Sequence, residues 1–372
     1  MKLVVAALLI GILYLLQKRV YKKYWNKNLT CDLEFDRDYM ECGDHGILLE
    51  TVTNDKFLPL PVFHLKFSVD RSFHFLDMVN ASVTDNYHKN EAFTLPGHTK
   101  VTRKLDFEAT KRGVYEITNA TVLVKDFFLS TTFADSISRK DSIYVFPEKI
   151  DSSNFKVLFQ GLMGEMEARR SIVDDELTFR GLRSYQPFDC YRSINWKQSA
   201  KARNLMVNLY GYSMNTEVEL LLNLDTDSMI ETNALLEESI SIVSSLCRAF
   251  LLKKVSVGLM TNGLGREEKV LPAIGAGGEL AHARTIDQQL AEIKSSSGKD
   301  SFLKLLDEKV KKPDVSKLYL LVSAYHKPDL LERMDSLKKA GCGVQMIVPY
   351  YDAFPYKAER EYIQGWEVIL GA

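Results

Sequence analysis

Three oxygen-bearing residues that could bind a cation follow a strongly apolar segment of the chain. Residues Val218–Leu224 are VELLLNL, and Asp225, Asp227 and Ser228 come soon after them. A continuous apolar run is typical of a strand buried on both faces of a parallel sheet, and ligands bind beyond the carboxyl ends of such strands. Hard divalent cations such as Mg²⁺ and Mn²⁺ prefer carboxylate and hydroxyl oxygens. These three residues are therefore a candidate metal site.

The pattern resembles the metal-ion-dependent adhesion site of von Willebrand factor type A domains, D-x-S-x-S, but departs from it. Asp225 occupies the first position, Asp227 replaces the first serine and Met229 replaces the second, which leaves Ser228 out of register. No carboxylate follows the later apolar run, where the sequence is Ser323–His326. The alternative interpretation, which the sequence favours, is that Asp225 and Asp227 cap a turn and the next helix.

Motifs of other chemistries are incomplete in this sequence. The glycine cluster Gly275–Gly278 is followed by Leu280 where the dinucleotide fingerprint needs glycine, and no GxxxxGK[ST] occurs. Ser213 lacks the second glycine of a nucleophile elbow, and neither HExxH nor a zinc-spaced Cys/His cluster is found. We therefore predict a protein that is not an enzyme and has no cofactor other than the candidate Mg²⁺ or Mn²⁺.

Charged and large aromatic residues are concentrated between Phe179 and Arg203. Burial of such groups is costly unless each has a partner, so we expect a specified polar network. Arg183 and Arg192 can each clamp Asp189, and aromatic rings can stack on guanidinium groups. The segment could join two domains, bind a partner protein or bind a polyanion such as RNA. Its candidate residues are Arg180, Gly181, Arg183, Tyr185, Asp189, Arg192, Trp196 and Lys197.

The same segment resembles the signature of the domain-of-unknown-function-58 family, F-x-G-L-R-x-Y-x-x-G-D-x-x-R-x-I-x-W-K-x-S-A-R. Phe188 replaces the glycine before the aspartate, and Asn195 replaces the acid before the tryptophan. Arg112–Tyr115, Asp126–Phe128 and Val145–Pro147 are similar to upstream landmarks of the family. The resemblance implies a membrane-anchored protein with a β-rich domain and a degenerate von Willebrand-like domain. It also implies a MoxR-type AAA+ ATPase as partner.

Two periodicities divide the rest of the chain. Apolar residues alternate from about Thr30 to Pro147, as in Phe63–Val69, and this indicates an antiparallel β-sandwich. From Glu217 onward apolar runs alternate with helical patterns, which indicates an α/β domain with a doubly wound, mostly parallel sheet. With the resemblance, this sheet is expected to be of von Willebrand factor type A type. The predicted divisions are an anchor at 1–27, a β-sandwich at 28–150, a connector at 151–215 and the α/β domain at 216–372.

The N-terminus suggests a membrane anchor. Leu3–Leu16 carries no charge, although 14 residues are fewer than the roughly 20 that span a bilayer, so Lys18 and Arg19 would have to snorkel. A cleaved signal peptide is the alternative. Basic residues follow the apolar run, which predicts a single-pass protein of the cell membrane with its bulk in the cytoplasm. Five scattered cysteines agree with a reducing compartment.

Composition argues against a general nucleic-acid binder, because 48 Lys and Arg balance 49 Asp and Glu for a net charge of −1. The sequence thus predicts a non-enzymatic, membrane-anchored adaptor that partners a MoxR-type AAA+ ATPase in the assembly or maturation of complexes. One alternative is a metal-dependent adhesion domain or enzyme that uses Asp225 and Asp227. Another is a cell-envelope protein that faces outward.

Overall fold

The computed structural model describes most of the chain in two compact units, residues 1–148 and 149–372, and each unit is described here by itself. The described residues are 2–76, 81–83, 86–136, 141–172, 179–187, 189–210, 217–225, 232–296, 299–351 and 360–368.

The first unit begins with a helix and continues as strands. Its described elements are α1 (Lys2–Tyr24), β1 (Leu29–Phe35), β2 (Tyr39–Glu41), β3 (His45–Asn54), β4 (Leu60–Asp70), β5 (Phe73–Phe75), β6 (Ala81–Val83), β7 (Asn86–Leu95), β8 (Thr99–Ala109), β9 (Gly113–Glu116), β10 (Thr118–Lys125), β11 (Thr132–Ser136) and β12 (Ser142–Phe146).

These strands form three sheets with the orders β1-β3-β8-β5, β11-β10-β4-β7-β6 and β2-β12-β9. Pairing is antiparallel within the first two sheets, whereas β2 and β12 run parallel in the third. Alternate residues of β3 and β4 enter a common apolar core that includes Leu48, Phe63, Leu65 and Phe107, all fully buried. Burial of every second residue is the reason that these segments are strands.

Helix α1 contacts the strands of its own unit near its C-terminal end. Tyr21 donates its hydroxyl to the Pro59 carbonyl at 2.7 Å, and the Trp25 ring stacks on Phe133 with centroids 5.6 Å apart. Apolar side chains nearer the N-terminus are exposed, namely Val4, Val5, Leu8, Leu9, Ile10, Ile12, Leu13, Leu15 and Leu16.

The predicted membrane anchor is wrong. Within the part of the chain that the structure describes, no helix combines the length and the apolar character that crossing a bilayer needs. The physical reason is visible in α1, whose apolar run ends at Leu16 and is followed by Lys18 and Arg19. The predicted single-pass location at the cell membrane, with the bulk in the cytoplasm, therefore loses its support.

The second unit contains helices α2 (Ser153–Ile172), α3 (Trp196–Ala202), α4 (Thr232–Leu252), α5 (Leu280–Glu292), α6 (Lys299–Lys311) and α7 (Pro328–Lys339). Its strands are β13 (Phe179–Ser184), β14 (Met206–Tyr210), β15 (Glu217–Asn223), β16 (Val257–Thr261), β17 (Gly263–Leu264), β18 (Ile274–Gly277), β19 (Ser295–Ser296), β20 (Lys317–Ser323), β21 (Gly343–Tyr351) and β22 (Ile363–Val368).

Six strands of this unit form a mixed sheet in the order β18-β16-β15-β20-β21-β22. Strands β16, β15, β20, β21 and β22 are parallel neighbours in this order, and β18 pairs antiparallel with β16. Leu220 and Leu222 of β15 share a core with α2, α4 and α5, whereas Leu221 joins a second core with α6 and α7. Two short sheets, β13-β14 and β17-β19, accompany the main one.

The predicted fold class is also corrected. The described chain is mostly β-sheet and contains several separate antiparallel sheets, where a membrane helix, one antiparallel sandwich and a doubly wound sheet of von Willebrand factor type A type were expected. The sheet of the second unit is mixed, because no helix lies between β16 and β18. A parallel neighbour needs such a crossover, whereas a connection without one returns the chain antiparallel. The von Willebrand type is therefore not supported.

Candidate functional site

Strands β13 and β14 and helix α3 support the segment that the sequence singled out. The two strands pair antiparallel, and α3 lies between them in the chain. Asn195 caps α3, because its Oδ1 accepts the Gln198 N–H at 3.0 Å. The other end of the same amide donates to Asn208 Oδ1 at 2.8 Å, on β14. One side chain thus starts the helix and attaches it to the strand.

Ser199 makes a second connection between the same helix and strand. Its buried hydroxyl donates to the Asn195 carbonyl at 2.8 Å and accepts the Met206 N–H at 2.8 Å. The Asn195 N–H in turn donates to the Met206 carbonyl at 2.8 Å. Helix α3 therefore has a defined orientation on the hairpin.

Arg183 of β13 and Asp189 of the turn that follows this strand form a bidentate ion pair. The two guanidinium nitrogens donate to the two carboxylate oxygens at 2.6 and 2.5 Å. The carboxylate also accepts the Gln186 N–H at 2.8 Å, and the Asp189 N–H donates back to the Gln186 carbonyl at 2.9 Å. The hydrogen bonds from Arg183, together with that from Gln186, hold the pKa of Asp189 below its ordinary value.

The other predicted residues of the segment do not join this pair. Trp196 is 65% exposed, and Arg192 and Lys197 are also exposed. Tyr191, which was not among the predicted residues, is 73% exposed. Tyr185 lies half-buried, with its ring 6.0 Å from that of Tyr191.

The expected cluster of Arg183, Asp189, Arg192 and Trp196 therefore forms only as the Arg183–Asp189 pair. Gly181 belongs to β13, where a side chain would meet open space. The side chain of Arg180 and all of Phe188 lie outside the described residues.

The candidate metal residue Asp225 lies in a buried network at the carboxyl end of β15. Its Oδ1 accepts the Ser296 hydroxyl at 2.6 Å and the Asn262 amide at 3.0 Å. Asn262 also accepts the Leu224 N–H at 2.9 Å, and Asn223 donates to Ser323 at 3.1 Å. These bonds connect the ends of three parallel strands, β16, β15 and β20.

The two described side chains that donate to Asp225, those of Ser296 and Asn262, are both neutral. The described part of the chain contains no group of three or more His, Cys, Asp or Glu residues placed to hold a metal ion. Asp227 and Ser228 fall outside the described residues. Asp225 thus accepts hydrogen bonds from a side chain of β19 and from the residue that follows β16.

A buried ionic network that sequence reasoning missed lies between α4, α5 and the start of the second unit. Lys149 donates to Asp287 Oδ2 at 2.7 Å, and Ser244 hydrogen-bonds both residues. Ser245 accepts the Ile150 N–H at 2.9 Å. Lys149 and Asp287 are 138 positions apart in the sequence, so no local motif marks this network.

Comparisons with known proteins assign no family. No protein-family model matches the chain, and no curated protein matches it. A CARDB domain of the PF1109 protein from Pyrococcus furiosus is 12% identical, with a TM-score of 0.22 over 32% of this chain and 88% of that one. A cohesin in complex with dockerin from Clostridium thermocellum is 10% identical, with a TM-score of 0.23 over 31% and 99%. A cohesin from Archaeoglobus fulgidus is 9% identical, with a TM-score of 0.23 over 31% and 91%. Such values transfer neither a fold nor an activity.

Proposed function

We propose that the protein is a non-enzymatic interaction protein whose signature segment, residues 179–203, binds a MoxR-type AAA+ ATPase. The observation that carries the proposal is the exposure of Trp196 and Tyr191 on a scaffold whose polar groups are bonded. Exposed tryptophan, tyrosine and arginine side chains are the residues that most often dominate the binding energy of protein interfaces. The identity of the partner comes from the resemblance of the segment to the domain-of-unknown-function-58 signature.

The preorganised scaffold supports binding by this surface. Asn195 and Ser199 fix α3, and α3 begins with Trp196. A side chain on a rigid element loses little conformational entropy when a partner binds. Arg192 and Lys197, both exposed, directly follow Tyr191 and Trp196 in the sequence. The surface therefore suits a partner face that combines an apolar pocket with carboxylates.

The test is binding of a purified MoxR-type ATPase to the full chain, followed by calorimetry. We expect Trp196→Ala to weaken binding by about 2 kcal/mol, roughly 30-fold, if this ring is a central contact. Phe57→Ala is the matched control, because Phe57 is another exposed aromatic residue, 88% exposed, in the first unit. Equal affinity of both variants and the parent would refute the proposal, provided that their melting temperatures agree.

A further inference from the structure

Within the described residues, the outer edge of β22 carries backbone groups that no other strand pairs. Met346 donates its N–H to the Tyr362 carbonyl at 2.8 Å, so this carbonyl points toward β21. Because backbone groups alternate in direction along a strand, the N–H and C=O of Gly365 and Glu367 point away from β21. Strand β22 ends the sheet order, and neither residue has a hydrogen-bond partner among the described residues.

The opposite edge of the sheet is shorter, richer in glycine and less regularly paired. Strand β18 has four residues, Ile274–Gly277, of which two are glycine, and its pairing with β16 has a register shift. Short length, glycine and irregular pairing are features that hinder a further strand. Strand β22 has six residues and pairs with β21 in unbroken register. It has no proline and no lysine.

A cavity of about 360 Å³ opens beside this edge, between the first turns of α2 and β22. Val157, Leu158 and Trp366 give it apolar walls. A Cβ at Gly365 would come within 2.8 Å of the Tyr350 ring, so this position of β22 favours glycine. The cavity has room for a large apolar side chain of a bound ligand.

We infer that β22 is a docking edge for an extended peptide segment of a partner protein, which adds as a further strand and inserts an apolar side chain into the cavity. The backbone of the peptide would bond Gly365 and Glu367, and alternate side chains would face the cavity. The Glu367 side chain is exposed and has no ion-pair partner in the described chain, so it selects a basic residue in the peptide. This edge and its cavity share no residue with the segment 179–203.

The experiment selects peptides from a displayed library of random dodecamers on the full chain, with counter-selection on Glu367→Pro. Proline removes the outward N–H but no bond to β21, so an edge strand tolerates it. The selected peptides are expected to alternate apolar residues with Lys or Arg. Titration of one synthetic peptide then compares the parent with Glu367→Pro and Val157→Lys. Val315→Lys is the matched control, because Val315 is another exposed valine of the second unit.

We expect at least tenfold weaker binding to Glu367→Pro and Val157→Lys, and parental binding to Val315→Lys. The same peptide N-methylated at alternate residues, which cannot pair as a strand, should not bind. Hydrogen exchange at Gly365 and Glu367 should slow when the peptide binds. Trp196→Ala should bind it as the parent does, which separates this test from that of the proposed function.

Three results would overturn the inference. One is a selection that returns no alternating apolar and basic peptides. Another is unchanged affinity of the N-methylated peptide. The third is a dimer of the parent chain, seen by analytical ultracentrifugation and abolished by Glu367→Pro, because a second copy would then occupy the edge. Circular dichroism of each variant shows whether the fold is retained. If Glu367→Pro unfolds, Val157→Lys still tests the cavity independently.

Discussion

Arg183 holds both carboxylate oxygens of Asp189, at 2.6 and 2.5 Å, within the turn that follows β13. The pair lies six positions apart in the sequence, and its geometry uses the fork of the guanidinium group, which lysine cannot reproduce. It supports the exposed segment that carries Tyr191 and Trp196, so the charge of Asp189 affects the shape of the proposed binding surface.

Acidification should weaken this support in a defined direction. The folded-state pKa of Asp189 is lowered by Arg183, so the pair contributes stability above the ordinary aspartate pKa of about 3.9 and loses it as the pH falls through the lower folded value. Asp189→Asn should therefore be less stable than the parent at pH 6, and the difference should shrink toward pH 2. Urea denaturation at each pH measures it. A difference that stays constant with pH would contradict the assignment.

Ser199 is predicted to be the most sensitive hydroxyl of the segment. Ser199→Ala leaves the Met206 N–H without its acceptor at the buried contact between α3 and β14. An unsatisfied buried donor costs roughly 1–3 kcal/mol, so the free energy of unfolding should fall by that amount. Ser184→Ala, at an exposed position of β13, is the control and should change it by less than about 0.5 kcal/mol. Equal effects would show that the Ser199 bonds do not stabilise the fold.

The ion pair of Lys149 and Asp287 should be costly to break from one side. Both side chains are largely buried, with 16% and 9% exposure. Lys149→Met leaves a buried carboxylate without its cation, and we expect a loss of about 3–5 kcal/mol. The double variant Lys149→Met, Asp287→Leu should recover most of it, because an apolar pair replaces the charges. If the double variant is less stable than the single one, the charges themselves are not the cause.

Divalent cations should not bind tightly at Asp225. Ser296 and Asn262 already donate to its Oδ1, and a cation would have to displace them. Calorimetric titration with Mg²⁺ and Mn²⁺ is expected to give no micromolar binding, for the parent and for Asp225→Ala alike. Asp151→Ala, at an exposed aspartate, is the control. Micromolar binding that only Asp225→Ala abolishes would restore the metal site as a function.

Local patterns in the sequence predicted individual strands well. The alternation of Phe63, Leu65 and Phe67 places all three in the core through β4, and the apolar run at Val218–Leu224 corresponds closely to β15. Both patterns follow from burial of one or two faces, which depends on neighbouring residues alone. The pair of Arg183 and Asp189 could be predicted from the sequence for the same reason, because its two members are close in the chain.

Relationships between distant residues were not predictable in this way. Asn262 is 37 positions from Asp225, and Asp287 is 138 positions from Lys149, so only the assembled sheet brings them together. Gly275 and Gly277 belong to β18, a strand that no local apolar pattern marks, and α5 begins shortly after the same glycine cluster. Strand order and direction decide such cases, and they depend on which segments pair across the chain.

The contrast between the two edges of the mixed sheet limits how this protein can be extended. The glycine-rich, irregular strand β18 forms one edge and hinders strand addition there. A further strand can therefore be added only at β22. One added segment would occupy the β22 edge, so the resulting complex would contain one bound segment for each chain. The same difference between the edges opposes polymerisation of the chain, because edge-to-edge pairing of successive sheets requires two edges that can each add a strand.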